Sequence, residues 1–147
     1  MCGALVAHAA VASAQGRADP KKELLGIVRT LQNGAITKIE VVAMPKQVET
    51  IVGMTPDLLQ KHCSVLISMR DLSAIAPKLA SDLQNTRAVA FDGSSDPRRG
   101  VLFYSKDRVV ASIYFDPFTQ GQIDGVKAKF SGALLPWVES HIPSEYR

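Results

Sequence analysis

The sequence predicts a single α+β domain, a largely antiparallel sheet with helices packed on one side. Three observations lead there. Apolar residues recur at helical spacing in the first half of the chain and again at its end, whereas the stretches between Ala88 and Phe130 alternate apolar and polar with the period of a strand. The pair Asp124-Gly125 between Ile123 and Val126 suits a type I′ turn and so predicts a tight hairpin with antiparallel flanking strands. Finally, 147 residues that are 46% hydrophobic and 21% charged suit one globular unit, and a domain near this length removes about 70% of its unfolded surface from water.

Each element has a local reason. Glu23 to Leu31 places Leu24, Ile27, Val28 and Leu31 on one helical face, and Asn33-Gly34 stops it. Ile36 to Met44 alternates in part and ends at Pro45, with Gln47 to Val52 as an extension or a second short strand. Thr55-Pro56-Asp57 is a helix start: the threonine caps, proline loses nothing at the first helical position, and the aspartate faces the positive end of the helix dipole. Ser64 to Arg70 sets Val65, Ile67 and Met69 on one side of a strand.

A third helix begins between Ser73 and Pro77 and ends by Asn85. Two short strands, Ala88 to Phe91 and Val101 to Tyr104, flank the polar segment 92–100, which reads as a long hairpin connection. Lys106-Asp107 turns the chain into Arg108 to Asp116. Asp124-Gly125 then makes the tight hairpin that returns along Val126 to Phe130. The last helix lies within Ser131 to Ile142, Pro136 being tolerable in a first turn.

Residues 1–14 read as a signal-peptide remnant and 15–22 as a linker, leaving 23–147 as the domain. Met1 to Gln15 carry no Asp, Glu, Lys or Arg, and Ala12-Ser13-Ala14 is the small-x-small pattern cut by signal peptidases. The pattern lacks the usual positive residues before its apolar run. A periplasmic or secreted setting is the expectation. After such a cut Cys63 stands alone, so no internal disulfide is available.

The chemistry-bearing residues exclude more than they name. No dinucleotide fingerprint, P-loop, CxxC or HExxH occurs. His62, His141 and Cys63 are too few for an ordinary zinc cage, so neither cofactor nor metal is expected. The adjacent His62 and Cys63 point about 100° apart on a helix and make no dyad; only a Cys63 and His141 meeting through space would supply a nucleophile with a base.

A net charge of +3, spread along the chain, does not make a nucleic-acid face. What remains is a binding reading. In the polar segment two Gly, two Ser and the Arg98-Arg99 pair could cradle a phosphate or carboxylate, each guanidinium offering a planar fork, and Asp96 beside them joins the candidate binding residues. Arg108 and Tyr114 share a strand face, as do Lys127 and Lys129, giving a basic and aromatic sheet surface for an acidic protein partner or a small anionic ligand. The alternative is a small periplasmic hydrolase whose residues are assembled from distant parts of the chain.

Overall fold

The structure, a computed structural model, describes residues 18–45, 50 and 52–147. The expected signal segment and positions 47–49 and 51 of the expected strand extension lie outside them. The elements follow the order α1 (Pro20–Gln32), β1 (Lys38–Ala43), α2 (Pro56–His62), β2 (Val65–Met69), α3 (Ile75–Gln84) and β3 (Thr86–Ala90). Then come β4 (Arg99–Ser105), β5 (Arg108–Phe115), β6 (Gln120–Ile123), β7 (Val126–Gly132), α4 (Leu134–His141) and a closing 3-10 turn, Ser144–Tyr146. All seven strands form one antiparallel sheet in the order β2-β1-β4-β5-β6-β7-β3. The α+β fold read from the sequence is present.

Local chemistry sets the boundaries. The Asp19 carboxylate accepts from the Lys21 amide at 3.0 Å and Pro20 opens the helix, so α1 starts three residues before the expected Glu23 and takes up part of the expected linker. The Thr55 side chain caps α2 as its spacing implied. Asp124 and Gly125 both adopt positive φ, 47° and 82°, the geometry of a type I′ turn.

The main core lies between one sheet face and α1, α3 and α4, around Leu31, Leu79, Phe103, Ile113, Phe130 and Val138. α2 covers the other face, where Leu59 packs with Val42, Met44, Met54, Leu102 and Tyr114 in a second, smaller core. Gly100 makes that arrangement possible. A Cβ there would stand 2.7 Å from the Tyr114 ring and 2.9 Å from Val42, so only glycine lets the ring lie across β4.

The segment between β3 and β4 is the main departure from the sequence reading. It is not a hairpin connection, because β3 sits at the sheet edge beside β7 while β4 lies between β1 and β5. The chain must pass β7, β6 and β5 to reach its next place, a distance of about 19 Å at ordinary strand spacing. Residues 91–98 therefore form a strap across the sheet.

Candidate functional site

The strap creates the cleft. Asp96 pins it, accepting the Met54 amide at 2.7 Å on one oxygen and Arg98 Nη2 at 2.6 Å on the other. Its backbone is tied to the sheet by Arg98 N donating to Phe115 O and by Met44 N donating to Arg98 O. Two chambers open beneath it. The smaller, about 230 Å³, is lined by Thr55, Ser94, Ser95, Tyr114, Gln122 and Lys127. The larger, about 520 Å³, shares Ser94 and Ser95 and adds Asp96, Arg98, Phe118 and Gln120.

Sheet register builds the floor. Tyr114 pairs with Gln122 and Gln122 with Lys127, so these three side chains stand in one row across β5, β6 and β7. The Tyr114 hydroxyl accepts a bond from Gln60 on α2, which fixes the ring at one end of the row. Gln120, two residues before Gln122 on the same face, reaches the larger chamber about 7 Å away. At its rim the Asp116 carboxylate accepts the amides of Phe118 and Gln120 at 2.8 and 3.0 Å, and the tight turn so formed holds Phe118 77% exposed.

Four of the seven expected site residues therefore meet at the cleft: Asp96, Arg98, Tyr114 and Lys127. Arg98 is nonetheless a brace, with Nε and Nη2 both on Asp96 Oδ2 and only 6% of the residue exposed. The expected pair of free guanidinium forks is corrected by strand alternation. Arg99 points through the sheet to the helical side, where it is 1% exposed and donates to the carbonyls of Met44, Arg98 and Tyr146. Burial pulls its pKa down and the nearby Glu139, 3.6 Å away, opposes that.

Arg108 is corrected too. A bulge between Phe103 and Tyr104 sets Val109 opposite Tyr104 and Arg108 opposite Ser105, so Arg108 loses the parity of Tyr114 and stays exposed at the far hairpin. Lys129 keeps its face but pairs with Val89 and Gln120 and lines a different depression beside Arg87. The two serines of the polar segment, Ser94 and Ser95, do line the cleft, whereas Gln120 and Gln122 were missed by the sequence reading. Only the strap's path brings them together.

The nucleophilic alternative finds no geometry. Cys63 closes α2 on one sheet face, while His141 lies on α4 on the other, stacked on Trp137 with ring centroids 4.3 Å apart. Burial pushes the Cys63 thiol up, away from the thiolate form. Among the described residues no group of three or more His, Cys, Asp or Glu could hold a metal ion. A groove of about 430 Å³ between α1 and α3 is lined without any charged side chain.

One further polar cluster is closed on itself. Glu40 accepts from Lys38 at 2.8 Å and from the Tyr104 hydroxyl at 2.7 Å, and Lys38 stands 3.7 Å over the Tyr104 ring. Burial, followed by the bond to Glu40, pushes Tyr104 up to about 12. A phenol whose folded pKa is raised adds stability below its unfolded value near 10, and loses it as pH climbs through about 12. Thermal melts recorded from about pH 9 to about pH 12 are therefore expected to fall more steeply for the parent than for Tyr104→Phe. Parallel curves would remove Tyr104 as the cause.

Comparison with known protein families, curated proteins and solved structures gives no match to this chain.

Proposed function

We propose that the chain is a non-enzymatic binding module whose strap cleft takes a small anionic ligand, a carboxylate or another oxyanion, at Lys127. One observation carries the reading. Lys127, Gln122, Ser94 and Ser95 line a single chamber, and their side chains have no hydrogen-bond or ion-pair partner among the described residues. An ammonium, an amide and two hydroxyls converging on one space are donors in search of oxygen acceptors. The row pairing on the sheet and the pinned strap fix the backbone from which these side chains reach, while the exposed Lys127 side chain is ordered on binding.

The test is titration calorimetry with acetate, inorganic phosphate and sulfate as probes. Lys127→Gln is expected to weaken the tightest of these by about tenfold or more, the size of one charge-assisted bond. Lys129→Gln, outside the chamber, should leave it unchanged. If the parent binds none of the probes, or if Lys127→Gln binds as well as the parent, the reading falls.

Export belongs to the same proposal. It is supported by the first fifteen residues, which lack Asp, Glu, Lys and Arg, and by Ala12-Ser13-Ala14. Protein recovered from outside the cytoplasm should begin at Gln15 on N-terminal sequencing, and an intact Met1 in that material would overturn it.

A further inference from the structure

We propose that the oxyanion taken at Lys127 is carried on an apolar body and that Phe118 is the surface on which this body rests. The ligand is then an aryl- or alkyl-substituted carboxylate or phosphate, not the bare ion. The inference rests on the reading of the Lys127 chamber given above and adds an observation of its own. Phe118, 77% exposed on the rim of the larger chamber, is the most exposed large apolar side chain among the described residues. Single exposed apolar residues are common and need no explanation. This one differs because it is held out. The Asp116 carboxylate, in a residue only 6% exposed, accepts the amides of Phe118 and Gln120 at 2.8 and 3.0 Å, and the Thr119 amide donates to the Asp116 carbonyl at 3.1 Å. Pro117 restricts one φ of the turn, and Thr119 takes a positive φ of 69°, which β-branched residues rarely adopt. A buried carboxylate and an unfavourable backbone conformation thus keep an apolar ring in water beside a cavity.

The two chambers offer different chemistry. Beside Lys127 the donors have no partner among the described residues, which suits an oxyanion. In the larger chamber the charged groups are engaged, Arg98 with Asp96 and Asp116 with the turn amides. Two carboxylates against one braced guanidinium disfavour a second negative group there and leave the space to an uncharged one. Ser94 and Ser95 border both chambers, so the two spaces adjoin. Along β6 the step from Gln122 to Gln120 is about 7 Å, a length bridged by a spacer of about two carbons and the ring it carries. Ring contact with Phe118 then adds to the area that such a ligand removes from water.

Calorimetric titration of bare ions against their aryl counterparts tests this, acetate against phenylpropionate and inorganic phosphate against phenyl phosphate. Each aryl probe is expected to bind the parent about tenfold tighter or more than its bare ion. Phe118→Ala should remove most of that gain while leaving acetate and phosphate binding, and the melting temperature, unchanged. Lys127→Gln should weaken bare and aryl probes by the same factor, because it acts on the shared oxyanion. Leu66→Ala, another exposed apolar position at the far edge of the sheet on β2, should change neither.

Aryl probes that bind no tighter than acetate and phosphate would overturn the proposal and leave the Lys127 reading standing. So would a gain that survives Phe118→Ala, or one lost equally in Leu66→Ala. If no probe of either kind binds, the Lys127 reading falls and this inference falls with it.

Discussion

Gly121→Ala is expected to leave the protein unfolded or insoluble. Gly121 faces the helical side of β6 and pairs with Phe115 and Ala128, so it is ringed by backbone. A Cβ built there would lie 1.7 Å from the Tyr114 carbonyl oxygen and 2.7 Å from the Phe115 Cα. Neither atom is the end of a flexible side chain, so relief requires β5 and β6 to part. That separates the ladder at the centre of the sheet and opens the core around Ile113 and Ile123. The cost should exceed about 4 kcal/mol, the upper end for single substitutions.

The same change at Gly26 is the control. It lies in α1 with nothing within 4 Å of the added carbon, and alanine there should raise stability by about 0.5–1 kcal/mol through helix propensity. Denaturant unfolding of both variants checks the pair, and a soluble, cooperatively folded Gly121→Ala would refute the close approach.

Arg99→Ala should lower stability by about 3–5 kcal/mol, the usual effect of removing one member of a buried charged network. For a chain of this size that is a fall of about 10 °C in melting temperature. The guanidinium gathers the Met44, Arg98 and Tyr146 carbonyls beside Glu139. Without it, three acceptors from distant parts of the chain lose one shared donor. Arg99→Lys should recover only part of the loss, because a single ammonium cannot match a planar fork reaching in several directions. Since the Tyr146 bond ties the C-terminal turn to β4, limited proteolysis should clip the C-terminus of the alanine variant first. Equal melting temperatures for parent and Arg99→Ala would show that the network contributes nothing.

Much of the fold was legible because local chemistry decided it. The Thr55 cap, the Asp124-Gly125 turn and the apolar faces of α1 and α4 each follow from residues within one turn of one another. The site was legible only in part, since long-range register decided the rest. Nothing near Phe91 or Gly100 announces that β3 belongs beside β7, and a polar run rich in Gly, Ser and Asp suits a crossing strap as well as a hairpin. The bulge at Tyr104 flips the parity of Arg108 without any glycine or proline to mark it. Arg98 and Arg99 are the sharper lesson. Adjacent strand residues point to opposite faces, so two neighbouring guanidiniums could never have shared one ligand once Arg99 entered a strand.

The placement of β3 also dictates an order of assembly. Thr86 finds its partner only in Gly132 and Ala88 only in Phe130, near the end of the chain. A polypeptide emerging from the ribosome thus makes its sixth element long before the seat for it exists, and Leu79 and Leu83 of α3 must wait with it for the floor that Phe130 completes. Non-local closure of this kind slows the final collapse, because loop entropy is spent before any contact rewards it.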